Sequence, residues 1–401
     1  MTRIPQTAQR TRWLNATVLG IGLASLCSDV GHEMATAAMP ALLATLGVGS
    51  AYLGLIEGLA DGLSSFVKLF SGLYSDRLRR RKPLAVAGYF VTALGMASFF
   101  FAGQWWHILL GRVGGWIGRG ARSPVRSVLL ADATTPEAYG RAFGFERAMD
   151  SAGAILGPLL SLALVATVGL RPMFLWTIVP GLCAVACMAF LVRERPHEPQ
   201  PHARLWGSLQ ALPGDFKKYL VGIGIAGIGD FSNTLLILWA TQAWMPRYGL
   251  SAAARMAMLF YVGYNVVYTV SCYVSGLLAD RLPKHWVLAV GYSFAVVPAV
   301  ALLLPGDSLA KFAAVFGVSG LYMGVWETLE SSTAAALLPD NVRGMGFGVL
   351  STVNGLGDFL SSFLVGVFWA ISPGLSMGFV IAMSLTGAAI IAGTGAKRAT
   401  T

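Results

Sequence analysis

Gly72-Leu73-Tyr74-Ser75-Asp76-Arg77-Leu78-Arg79-Arg80-Arg81-Lys82 closes one apolar stretch and opens another, and 204 positions later Gly276-Leu277-Leu278-Ala279-Asp280-Arg281-Leu282-Pro283-Lys284 does the same. In a chain of 401 residues that offset is about half the length. Other matches share it: Phe143-Gly144 aligns with Phe347-Gly348, and Gly153 with Gly357. Independent matches at one offset imply a duplicated unit. The copies also diverge, since Arg122 aligns with Trp326, Arg126 with Glu330 and Asp61 with Asn265.

The duplicated unit is a membrane bundle. The chain is 55% hydrophobic and 12% charged, about half the charge of a soluble domain. Apolar stretches recur at approximately 16–45, 52–75, 84–102, 106–131, 141–168, 173–192, 219–245, 254–279, 285–304, 310–337, 344–371 and 374–394. Each is long enough to cross a hydrocarbon layer of about 30 Å, and no alternating period of barrel strands is visible. The predicted fold is therefore an all-α membrane protein of twelve transmembrane helices in two pseudosymmetric six-helix bundles, residues 1–192 and 219–401. A Pro-rich, charged cytoplasmic linker, 193–218, joins them.

The net charge of +10 reports orientation. With the N-terminus in the cytoplasm, nineteen of the 29 Lys and Arg fall on cytoplasmic segments and four outside, the other six lying within spans. That asymmetry predicts that both termini are cytoplasmic and makes a nucleic-acid partner unnecessary. Loops are too short for a soluble catalytic module, and no nucleotide-binding G-x-x-x-x-G-K-[ST] loop is present. Cys27, Cys183, Cys187 and Cys272 all fall in apolar spans, without the spacing of a disulfide framework or a zinc site. The expectation is a monomeric multi-pass protein of the plasma (cell inner) membrane, with no cleavable signal peptide, no metal and no cofactor. Its partners are the lipid bilayer, a small-molecule substrate and protons.

The hairpin resembles the best-known signature of the major facilitator superfamily, Gly-x-x-x-Asp-Arg-x-x-Arg-Arg-Arg/Lys, at Gly72, Asp76, Arg77, Arg80, Arg81 and Lys82. The second copy keeps Gly276, Asp280, Arg281 and Lys284. The resemblance implies parallel halves and alternating access. It also implies that Asp76 contacts the start of a helix in the other half and locks one access state. A second partial likeness, Gly153-x-x-x-Gly157-Pro158, resembles the start of an antiporter signature of drug exporters in that superfamily. The glycine pair that should follow is replaced by Leu159-Leu160-Ser161.

Charge inside a span costs at least about 2.5 kcal/mol, so each buried charge needs a reason. Asp29, His32 and Glu33 lie near the middle of the first span, Arg119 and Arg122 of the fourth, Asp230 of the seventh and Glu327 of the tenth. The resemblance implies that these four helices line the central cavity, and Tyr264 and Asn265 on the eighth add an aromatic-polar face. These nine residues are the candidate substrate-binding or translocation set. Asp61, Glu33, Asp29 and Asp358 are candidate proton carriers, since an embedded carboxyl can take and release protons near neutral pH. Arg119, Arg122 and Arg126 share one helix face, and pairing of Arg126 with Glu330 across the halves is an expected gate. Gly153, Gly157 and Pro158 join the hairpin residues as gating candidates. Glu146, Arg147 and Asp150 are expected to form a cytoplasmic-side charge cluster.

The favoured function is export of a small organic solute by proton antiport. The rival within transport is uptake or facilitated passage of an anionic solute or metal complex recognised by Arg119 and Arg122. A rival of another class is an intramembrane enzyme built on Asp29, His32 and a serine, or a sensor that does not transport.

Overall fold

The computed structural model describes residues 13–47, 50–195, 198–199, 205–230 and 233–394. Helices dominate. The first bundle contains α1 (Ala16–Thr45), α2 (Ser50–Arg77), α3 (Lys82–Ala97), α4 (Trp105–Asp132), α5 (Tyr139–Val168) and a sixth crossing made of α6 (Leu170–Trp176) and α7 (Ile178–Ala186). The linker carries the short α8 (Leu205–Ala211). The second bundle starts with α9 (Gly214–Ile228) and α10 (Asn233–Tyr248), which form the seventh crossing, then α11 (Leu250–Ala279). It ends with α12 (Lys284–Ser293) and α13 (Val296–Leu303), the ninth crossing, then α14 (Leu309–Leu337), α15 (Arg343–Ile371) and α16 (Pro373–Ala392).

Local sequence explains where these helices begin and turn. Pro83 sits in the first turn of α3, where its missing N–H costs nothing. Gln104 and His107 cap the start of α4 reciprocally, and Ser308 accepts from the Lys311 N–H at the start of α14. Gly169 and Gly249 take φ values of 92° and 77°, which let α5 turn into α6 and α10 into α11 without strain.

One break changes a sequence expectation. The seventh crossing is predicted as one helix over 219–245, but α9 ends at Ile228 with Gly229 as its cap, and Asp230 lies in the gap before α10. Asp230 therefore lies outside the regular helix that the sequence predicts for this span. Gly227 and Gly229 weaken the helix here, and broken membrane helices are tolerated where the backbone is covered by protein or lines a cavity.

The bundle is apolar outside and charged within. Phe190 is 84% exposed and Phe101, Leu162 and Phe359 are 71% exposed, as lipid-facing side chains should be. Asp29, Arg122, Arg126, Glu146 and Asp150 are buried. Lipid supplies no hydrophobic drive between helices, so small residues must let them approach. A Cβ on Gly153 would lie 2.7 Å from the Leu26 carbonyl and 2.9 Å from Asp29 Cβ, and one on Gly157 2.6 Å from Glu33 Cβ. The Gly153-x-x-x-Gly157 pair thus sets α5 against the two acids of α1. Gly157→Leu is expected to lower stability by roughly 1–3 kcal/mol through overpacking, read as a fall in the unfolding midpoint in detergent. Gly114→Ala, where a Cβ would meet nothing within 4 Å, should leave that midpoint unchanged.

Candidate functional site

The two halves meet where the duplicated hairpins lie. Asp76, at the end of α2, accepts hydrogen bonds from the backbone N–H groups of Gly344 (3.0 Å) and Met345 (2.7 Å) in the first turn of α15. Asp280, after α11, accepts from those of Gly140 (2.8 Å) and Arg141 (3.1 Å) in the first turn of α5. Adding 204 to Gly140 and Arg141 gives Gly344 and Met345, so these are one contact made twice. Unpaired N–H groups and the helix dipole make a helix N-terminus a good seat for a carboxylate.

The glycine contacts beside the hairpins repeat the same symmetry. The backbones of α5 and α11 touch at Gly140–Gly276 and Gly144–Cys272, and those of α2 and α15 at Gly72–Gly344 and Gly348–Gly72. Farther from the hairpins, Ser151 Oγ bonds Thr269 Oγ1 at 2.6 Å, and Ser65 packs on Gly355 at the equivalent position. Among the described residues, these close contacts between the halves lie on the hairpin side of the bundle.

Cations reinforce this end unequally. Arg81 is buried and donates to Asp76 (3.1 Å), to the Ser75 carbonyl (3.2 Å) and to Asp132 (3.2 Å). Arg343, at the start of α15, donates to the other oxygen of Asp132 at 2.5 Å, so Asp132 ties the first hairpin to the second half. On the symmetric side Arg141 pairs with Asp280 at 2.6 Å. Arg77, Arg80 and Arg281 are exposed. Asp132 escapes notice in the sequence, where an acid at a helix end reads as a solvated one.

Behind this seal α1, α4 and α5 hold a charge network. Asp29 pairs with Arg119 at 3.2 Å. Arg122 donates to Ser28 Oγ at 2.8 Å and lies 4.0 Å over the Tyr89 ring. Arg126 pairs with Glu146 (2.8 Å) and Asp150 (3.4 Å) and donates to Ser25 Oγ at 2.8 Å. Trp116 lies within reach of two guanidinium groups, Arg112 at 5.5 Å and Arg119 at 5.4 Å, and packs edge-on to His32. Arg112 is buried and bonds Thr36 Oγ1 at 2.9 Å, with His32 Nε2 at 3.5 Å.

The expected Arg126–Glu330 pair is not formed. Arg126 is turned toward α5 of its own half, while Glu330 accepts from Asn354 Nδ2 at 2.7 Å. An ion pair across the halves comes instead from Arg147, which lies 3.6 Å from Glu327 and also touches Glu146 (3.6 Å) and Asp150 (3.7 Å). Glu327 in turn accepts from the Tyr268 hydroxyl. Arg147 stands eight residues into α5, roughly 12 Å from the hairpin end, so this pair joins the halves about two turns in from the hairpins. The cluster of Glu146, Arg147 and Asp150 is expected from sequence; its reach to Glu327 is not.

The remaining candidates divide. Glu33 is half-buried on α1 beside Gly157. Asp230 accepts from Tyr322 Oη at 3.4 Å. Tyr264 is buried and stacks on Tyr261, with ring centroids 5.4 Å apart. Asn265 bonds back to the Tyr261 carbonyl of its own helix at 2.8 Å. Asp358 is exposed one turn beyond Asn354. The side chain of Asp61 lies outside the described residues. Pro158 is half-buried within α5.

The model of the Major Facilitator Superfamily matches residues 21–362. An uncharacterized MFS-type transporter of Methanocaldococcus jannaschii is 26% identical over 382 residues, covering 94% of each chain. A multidrug resistance protein, MdtH, of Photorhabdus laumondii is 34% identical over 110 residues, 26% of this chain and 27% of its own. Among solved structures, a bacterial homologue of the iron transporter ferroportin in an outward-facing state superposes with a TM-score of 0.76 at 15% identity, over 95% of this chain and 100% of that one. The Escherichia coli fucose:proton symporter gives 0.73 at 13% identity, over 94% and 98%.

Proposed function

The chain belongs to the major facilitator superfamily, and from that premise we propose that it is a secondary active exporter driving a small organic solute outward by proton antiport. The Arg147–Glu327 pair carries this reading. It joins the halves beneath the charged interior, and protonation of Glu327 would remove one partner. Arg147 would then rest on Glu146 and Asp150, which it already touches. A proton can thereby loosen the halves at little electrostatic cost. With the basic hairpins cytoplasmic, as their charge favours, the sealed end faces the cytoplasm and the state described here opens outward. The partial relationship to a multidrug resistance protein supports export.

The test uses proteoliposomes with a pH-sensing dye inside and three aromatic probes of different charge: ethidium, chloramphenicol and benzoate. At least one is expected to move opposite to protons, and Glu327→Gln should abolish proton movement while leaving an inserted, folded protein. Proton and solute moving in the same direction would overturn antiport. Co-movement of benzoate alone would favour uptake of an anion through Arg119, whose side chain is 23% exposed.

A further inference from the structure

The symmetry of the two hairpins fails on their lipid-facing side. On α2, Phe66, Phe70 and Tyr74 follow one another at four-residue spacing and are 63%, 56% and 52% exposed. They form one aromatic stripe that runs toward Arg77. Adding 204 gives Val270, Val274 and Leu278 on α11, which are also exposed but carry no ring.

The stripe is one wall of a groove of about 790 Å3 on the outside of the first bundle. Leu84 of α3, Ala121 of α4 and Leu205 of the linker helix α8 complete it. Its floor leaves no demand on a ligand, because the Ser71 hydroxyl already donates to the Ala121 carbonyl. Trp206, next to Leu205, is 75% exposed, and indole rings settle at the headgroup level of a bilayer. The groove therefore runs from hydrocarbon depth to the headgroups.

The hairpin cations divide into two groups. Arg81 is buried on Asp76 and Asp132, and Lys82 donates to the Val192 carbonyl at 2.8 Å. Arg77, Arg79 and Arg80 are exposed, and Arg77 is itself part of the groove wall. The corresponding residues of the second hairpin are Arg281, Pro283 and Lys284, and Lys284 turns to Asp280 at 3.5 Å. Among the described residues, the first hairpin alone joins an aromatic groove to three exposed arginines. Clustered cations beside a membrane helix attract anionic lipids, and a guanidinium fork matches a phosphate.

We propose that this groove binds one anionic phospholipid, with an acyl chain along Phe66, Phe70 and Tyr74 and the phosphate on Arg77 and Arg80. The lipid touches α2 and α8 together, so it braces the helix that carries Asp76 against the linker. This goes beyond the export reading and does not depend on it, since lipid retention needs neither gradient nor solute.

The test is native mass spectrometry of the purified full-length protein released from detergent micelles. Dioleoylphosphatidylglycerol serves as the anionic lipid and dioleoylphosphatidylcholine as the zwitterionic lipid with the same chains. One phosphatidylglycerol per chain is expected, at a concentration at least five-fold below that needed for phosphatidylcholine. Arg77→Gln with Arg80→Gln should erase this preference. Phe66→Ala with Phe70→Ala should weaken retention of both lipids at least five-fold. Neither pair should move the unfolding midpoint, because all four side chains are exposed. The symmetry-related pair, Val274→Ala with Arg281→Gln, should retain phosphatidylglycerol as the wild type does. Equal retention of the two lipids by the wild type would mean an apolar surface without headgroup recognition and would overturn the proposal. So would an equal loss in the symmetry-related pair, which would mean diffuse attraction to basic loops. Displacement of phosphatidylglycerol by millimolar inorganic phosphate would also overturn it, leaving an anion site with no role for the chain. Selective lipid retention by a protein that exchanges no protons would remove antiport and leave this site. Proton exchange without lipid preference would do the reverse.

Discussion

Arg126→Ala should be the most destabilising single substitution in the first half. Arg126 is 5% exposed and serves Glu146, Asp150 and Ser25 at once. Its loss leaves two carboxylates in low dielectric with Arg147, at 3.6 and 3.7 Å, as the remaining cation in contact with either. Removing one partner of a buried pair costs about 3–5 kcal/mol, because the partner left behind is still charged and no longer solvated. The unfolding midpoint in detergent should fall accordingly, with a matching fall in the yield of folded protein. The charge argument makes a second, sharper demand. Adding Glu146→Gln and Asp150→Asn to Arg126→Ala should recover more than half of the loss, since the orphaned charges are gone. A triple variant as unstable as the single one would show that Arg126 acts by volume instead.

What the sequence reveals and what it hides differ for physical reasons. The duplicated hairpin is legible because its function is local: an aspartate at one helix end seats on the first turn of another helix, and both parts repeat at an offset of 204. That one number relates Asp76 on Gly344 and Met345 to Asp280 on Gly140 and Arg141. Twelve crossings are legible because lipid demands long apolar segments. Ion-pair partners are not legible in the same way. Arg126 and Glu330 occupy equivalent positions in the two halves, but equivalence fixes only their depth. The rotation of α4 and α14 decides what each faces, and Arg126 faces its own α5. The reach of Arg147 to Glu327 depends on two helices from opposite halves approaching at Gly144. The break before Asp230 was signalled only by Gly227 and Gly229, which membrane helices often carry without breaking.

Gly72→Leu combined with Gly140→Leu should prevent the halves from closing at the hairpin end. Cβ atoms at these positions would strike the carbonyls of Gly344 and Gly276, and that on Gly140 would also come 2.6 Å from the Asp280 carboxylate. Backbone lies on the far side of both contacts, so no flexible side chain can yield. Each overpacked site costs about 1–3 kcal/mol of the closed arrangement. With about 1.4 kcal/mol per factor of ten, the pair should lower the closed-to-open equilibrium constant by at least ten-fold. The native Cys272 reports this directly, being 0% exposed behind the seal with its carbonyl 2.5 Å from where a Cβ on Gly144 would lie. With Cys27, Cys183 and Cys187 replaced by serine, a membrane-impermeant maleimide applied from the hairpin side should label Cys272 at least ten-fold faster in the double variant. Solute exchange should be lost in parallel, because a carrier held open at one end cannot present its site at the other. Unchanged labelling would mean that the glycine contacts are packing alone, and that the seal is held by Asp76, Asp280 and the Arg81–Asp132–Arg343 chain without them.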